Sequence, residues 1–97
     1  MRKIALLAPA LLAACATAPA ATPIHGVTPG HKCDATGTDR FIGQPGTRVT
    51  GAAIKRATNA AVLRWAPPGV MLTMDFREDR VTVYLGPDKK VTKINCG

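Results

Sequence analysis

Aromatic side chains are scarce in this chain of 97 residues, which has one Trp, one Tyr and two Phe. Acidic residues are few as well, six against thirteen basic ones, and there are only three cysteines. Each shortage excludes a class. Nucleic-acid modules stack bases on aromatic faces over a basic groove. Here the aromatic positions are missing and the basic excess is scattered, so the formal charge of +7 does not point to a nucleic-acid partner. No apolar stretch approaches the roughly 20 residues that a membrane-spanning helix needs. No Gly-rich loop ends in the Lys and Ser/Thr of a phosphate cradle, and no Ser-His-Asp set is available. Asp75, Glu78 and Asp79 are the one cluster of carboxylates, and three acids so close on a turn read as a solvated surface rather than an acid–base pair. The chain is not expected to be an enzyme, and its length allows one small domain.

What is present begins with an address. Arg2 and Lys3 precede the apolar run Ile4 to Leu12, and the small pair Ala13-Ala14 follows, giving a charged region, a hydrophobic region and a cleavage zone. Leu12-Ala13-Ala14-Cys15 resembles the lipobox of bacterial lipoproteins, in which the Cys is lipidated and becomes the first mature residue. Residues 1–14 are therefore expected to be a lipoprotein signal peptide, with Cys15 anchoring the chain to the bacterial envelope at the outer membrane or periplasm. Each acyl methylene contributes about 0.8 kcal/mol of membrane affinity, and stable anchoring takes more than one chain. Loss of Arg2 and Lys3 also removes two of the positive charges.

Residues 15–32 are rich in Ala, Thr and Pro and poor in large apolar side chains, the composition of a semi-extended tether. His25, His31 and Cys33 are potential metal ligands, but they lie on that stretch with no second cluster downstream, so neither metal nor cofactor is expected. With Cys15 assigned to lipid, Cys33 and Cys96 remain as a pair in an exported protein, where a disulfide is expected. Closing so long a loop stabilises by about 4 kcal/mol on the chain-entropy model. Domains of about 60 residues are marginal on core burial alone and need such help.

Between the cysteines, Phe41 to Gly46 reads as a turn that leads into a helix from Thr47 or Thr50 to Asn59, with Val49, Ala53 and Ala57 as its i, i+4 stripe. Gly51 counts against that helix by about 1 kcal/mol relative to Ala. Val62 to Trp65 reads as a strand that ends at Pro67-Pro68-Gly69. Arg80 to Leu85 alternates, with Val81, Val83 and Leu85 on one face and Arg80, Thr82 and Tyr84 on the other. Gly86-Pro87-Asp88 is a turn, and Val91 to Ile94 is a last strand. The fold class is α+β, one helix on a small mixed sheet.

The connection Pro68 to Asp79 is longer than a hairpin turn, and it carries Val70, Met71, Leu72, Met74 and Phe76, an unusual load for a solvated loop. Trp65-Ala66-Pro67-Pro68-Gly69, Leu72-Thr73-Met74-Asp75-Phe76, Asp79-Arg80-Val81-Thr82-Val83 and Cys96-Gly97 resemble the bacterial and fungal peptidase-inhibitor family numbered seventy-eight. Cys33, Phe41-Ile42-Gly43-Gln44-Pro45 and Arg64 match the same pattern. The loop and the strand after it are also similar to the potato inhibitor I family, with its plan of helix, strand, exposed binding loop and strand.

The resemblance implies a serine-protease inhibitor domain over residues 33–97 whose reactive-site loop, Val70 to Phe76, enters the protease cleft as a substrate does. Matched by position, Met74 fills the primary specificity pocket and Met74-Asp75 is the scissile bond, with Thr73, Leu72 and Met71 before it. An unbranched, polarizable Met suits chymotrypsin-like, elastase-like or subtilisin-like pockets. Arg80, at the head of the strand beneath the loop, is the expected support, with its donors reaching Thr73 and Asp75. The potato inhibitor I pattern has a second Arg where this chain has Thr82, and Arg77 is the substitute on offer. A monomer is expected. The alternative is a non-inhibitory envelope lipoprotein that binds another protein through the same loop.

Overall fold

The structure is a computed structural model, and it describes residues 24–97. The expected signal peptide, Cys15 with its expected lipid, and the first part of the expected tether lie outside the described residues. Among the described residues no helix is long and apolar enough to cross a membrane.

Thr47 opens the helix α1, Arg48–Thr58, by accepting a hydrogen bond from the Thr50 amide on its side-chain oxygen. Asn59 closes it in the left-handed conformation at φ 62°, which Asn tolerates better than most residues. The buried side of α1 is Thr50, Gly51, Ile54 and Thr58. The expected stripe of Val49, Ala53 and Ala57 is thus displaced by one position, and Val49 lies in solvent at 80% exposure. Gly51 explains the displacement, because a Cβ there would stand 2.7 Å from the Trp65 ring. The helix comes close to the sheet along this line, and the residue that lowers its intrinsic propensity is the one that admits the contact.

Three strands follow, β1 Val62–Ala66, β2 Arg80–Leu85 and β3 Val91–Cys96, in the order β1-β2-β3. β1 runs parallel to β2, with Arg64 opposite Thr82, and β3 runs antiparallel to β2, with Val81 opposite Cys96. The face toward α1 supplies Val81, Val83 and Ile94, which join Phe41, Ile54, Ala60 and Val91 in the core, with Leu63 and Trp65 packed against it. The opposite face carries Arg64, Arg80 and Thr82. Arg80 and Thr82 are buried too, so β2 is covered on both sides. The expected disulfide joins Cys33 to Cys96, with 5.6 Å between their Cα atoms.

Parallel pairing creates the loop. The chain leaving Ala66 must return to the other end of the sheet to begin β2, a crossover that takes about a dozen residues and usually a helix. Here Pro67–Asp79 makes the return with no helix and no strand. The segment crosses over the face that holds Arg64, Arg80 and Thr82.

The tether differs from expectation over its last residues. Gly26 is buried, and Gly26 and Thr28 bond to Asp79 while Gly30 and His31 bond to Asn59. Ile24–Lys32 is therefore a strap docked on the domain, held by hydrogen bonds that a reading of apolar composition does not register.

Candidate functional site

The return segment starts with a turn in which the Val70 amide donates to the Pro67 carbonyl at 3.3 Å. From Met71 to Phe76, among the described residues, no main-chain group bonds to another main-chain group. Main-chain groups not spent on other main-chain groups are free to pair with a partner's backbone by strand addition. Met74 is 98% exposed and Met71 93%, with Phe76 and Val70 also exposed. Leu72 is half-buried and turns back toward the domain. Large apolar side chains held in water on a rigid body mark an interaction surface.

The residues flanking Met74 are each tied to a strand beneath. On one side, Arg64 of β1 donates from Nη1 to the Thr73 hydroxyl at 3.0 Å and from Nε to the Thr82 hydroxyl at 3.2 Å. On the other, Arg80 of β2 donates from Nη2 to the Asp75 carbonyl at 2.9 Å, and its Nη1 lies 3.7 Å from the Asp75 carboxylate. Arg80 Nε and the Thr82 hydroxyl both donate to the Gly97 oxygen, each at 3.0 Å. Thr82 thereby joins the two arginines into one network, and the Phe76 ring packs over Gly97.

Arg80 and Thr82 lie under the loop, but Arg80 does not reach both flanks of Met74 as expected: Arg80 takes Asp75 and Arg64 takes Thr73. The Arg64 role was missed although its signal was present: it alternates with the core-packed Leu63 and Trp65, which puts it on the opposite face. Arg77 does not take the place of a second loop arginine. Its Nε and Nη2 donate to the two carboxylate oxygens of Asp79, each at 3.0 Å.

Asp79 corrects the reading of the acids as a solvated cluster. Its exposure is 0%, and besides Arg77 it accepts from the Thr28 hydroxyl at 2.6 Å. Its amide donates to the Gly26 carbonyl, and its own carbonyl accepts from Ala61 and Val62. The Arg77 guanidinium, and after it Thr28, hold its carboxyl well below the ordinary carboxylate range. Asp75 is lowered likewise, by the Thr73 hydroxyl first, then by His25, with the charge of Arg80 adding to them. Both acids are thus engaged as ionised acceptors.

The three potential metal ligands go to separate partners. Cys33 is in the disulfide, His31 Nδ1 meets the Asn59 carbonyl at 3.1 Å, and His25 Nε2 meets the Asp75 carboxylate at 3.0 Å.

A protein-family model described as the peptidase inhibitor I78 family matches residues 33–97. Among solved structures, that of the elastase inhibitor AFUEI, in its crystal form II, is similar. The two are 25% identical with a TM-score of 0.50, over 61% of this chain and 81% of that one. No curated protein sequence matches.

Proposed function

The chain belongs to the peptidase inhibitor I78 family, and on that basis we propose that it inhibits serine proteases in substrate-like fashion through the loop Val70–Phe76. Protease inhibition rather than catalysis follows from the family and from the likeness to an elastase inhibitor. Met74 is the residue offered to the primary pocket and Met74-Asp75 is the bond offered for cleavage. The target pocket is of the chymotrypsin, elastase or subtilisin kind, because an unbranched apolar side chain gains little in a pocket built around an acidic group. The observation that carries this reading is the pairing of a 98% exposed Met74 with arginine-held neighbours on both sides.

Those two holds serve inhibition in two ways. A loop already in its docked form loses little conformational freedom on binding, so an ordinary interface of about 1,600 Å² can bind tightly. If the bond is cut, Thr73 and Asp75 stay anchored to β1 and β2, and the new ends remain in position to re-form the bond. The lipobox-like Leu12-Ala13-Ala14-Cys15 adds a place of action: a monomer lipid-anchored through Cys15 to the bacterial envelope and reaching its protease there.

The test is titration of chymotrypsin, elastase, subtilisin and trypsin with the protein, with cleavage products mapped by mass spectrometry. Inhibition of the first three ahead of trypsin, with slow cleavage at Met74-Asp75, is the expected outcome. Met74→Lys should move the preference to trypsin. Rapid cleavage or indifference across all four enzymes would refute the reading. The lipid is checked by the mass of the Cys15 peptide from membranes of the producing cell.

A further inference from the structure

The strap Ile24–Lys32 precedes the stretch that the family model matches, yet it reaches the loop. It crosses the domain from the end of α1 to the descending limb of the loop and is fixed at both places. At the helix end, Asn59 Nδ2 donates to the Gly30 carbonyl at 3.0 Å, and His31 sits on the Asn59 carbonyl. At the loop end, Thr28 bonds the buried Asp79 carboxylate and the Gly26 carbonyl takes the Asp79 amide at 3.1 Å. Gly26 lies backbone to backbone on Arg77: at φ +79°, a Cβ would come within 2.9 Å of the Arg77 Cα. Beyond this second anchor the strap extends to His25, whose Nε2 lies 3.0 Å from Oδ2 of Asp75. The carboxylate is ionised and can only accept, so Nε2 is the donor.

We propose that His25 is a positioning residue for the reactive loop, with the strap acting as a third brace that holds the Asp75 side of Met74. The inference rests on the inhibitory reading above. The Thr73 side is held by one arginine from the sheet. The Asp75 side is held at its carbonyl by Arg80 and at its carboxylate by His25, with Arg80 Nη1 at 3.7 Å and the Thr73 hydroxyl also at that carboxylate. Arg80 and His25 come from opposite directions in the chain. Two separate holds on one residue fix its peptide plane and its side chain together, and this is the residue whose amide becomes the leaving group when the bond is cut. An amine kept in place by Arg80 and His25 is kept for re-ligation. The hold is an exposed one, since the His25 side chain is 66% accessible, so it tunes the lifetime of the loop and not the stability of the domain.

The experiment uses the full chain with His25→Ala, His25→Gln, Asp75→Ala and the His25→Ala/Asp75→Ala double variant. Three quantities are read: hydrolysis at Met74-Asp75 by saturating subtilisin, backbone order parameters of Asp75 and Phe76 from 15N relaxation, and Tm. His25→Ala should speed hydrolysis roughly threefold, as loss of one modest hydrogen bond does. It should also lower the two order parameters and leave Tm unchanged, whereas His25→Gln, which keeps a donor, should stay near wild type. In the Asp75→Ala background the His25 substitution should have no further effect. Wild-type hydrolysis and order in His25→Ala, or an undiminished effect in the double variant, would overturn the proposal. If the wild type inhibits no protease, the functional reading fails by itself, and the order parameters still decide whether the strap braces Asp75.

Discussion

Arg64 and Arg80 do the same kind of work from unequal surroundings, and that inequality can be measured. Arg80 is nearly out of solvent, and its guanidinium serves the Asp75 carbonyl, the Asp75 carboxylate and Gly97. Arg64 is half-buried, and its bond to Thr73 is exposed. Buried hydrogen bonds from a charged donor contribute about 1.5–3 kcal/mol, and their loss strands the acceptors, whereas exposed ones contribute less. Arg80→Ala should therefore raise loop hydrolysis by saturating subtilisin roughly tenfold or more, and Arg64→Ala only a few-fold. The reverse order would place the critical hold on Thr73. At this scale the site was partly legible. Alternation along β2 exposes Arg80 and Thr82 as a polar pair over a buried valine face. The partnership of Arg64 with Thr82 needs the parallel register of β1 on β2, which strand patterns do not encode. Arg77 could not be separated from Arg80 by sequence, because the two lie near the same acids and only the burial of Asp79 decides which takes which.

At the level of elements, the helix and all three strands stood close to where hydrophobic period and turn residues put them. The strands extend only one or two residues further, to Ala66 and Cys96. What sequence did not give is the rotation of α1, since alanines read as an apolar stripe whichever way they face and Thr50 and Thr58 do not read as core. Thr58 is buried because its hydroxyl is satisfied within the helix by the Ile54 carbonyl at 2.9 Å. Gly51 turns this into a prediction in which two effects compete. Gly51→Ala gains about 1 kcal/mol of helix propensity. It also drives a methyl to 2.7 Å from Trp65, whose ring is packed against the core, and overpacking of that kind costs about 1–3 kcal/mol. The clash outweighs the propensity, so thermal unfolding should show a Tm several degrees lower, at roughly 4–8 °C per kcal/mol for a domain of this size. A raised Tm would mean that α1 can lift from the sheet without loss.

Taken whole, the molecule is a thin core closed by polar and covalent ties, and the ties meet behind the loop. The disulfide joins the end of the strap to the end of β3, and Asp79 joins the strap, Arg77 and the start of β1 at the point where the loop re-enters the sheet. A tether composition hides such an arrangement because the strap's side-chain ties to the loop end are single hydrogen bonds made across some fifty residues of sequence. It also makes the molecule sensitive to acid in a definite direction. The Asp79 carboxyl is lowered in the folded state from an ordinary 3.8, so folding favours its ionised form. That contribution is complete above the ordinary value and is lost as pH falls toward the depressed one. Asp75 shifts the same way, but it is exposed and screened, so its share is small. Stability should therefore be flat from neutral pH down to about pH 4 and decline below it. Asp79→Asn should lower Tm at neutral pH, because Arg77 and Thr28 lose their ionised acceptor, and should flatten the decline below pH 4. Tm followed by circular dichroism from pH 7 to pH 2 in both proteins checks this, and a decline of equal steepness in Asp79→Asn would show that the acid sensitivity originates elsewhere.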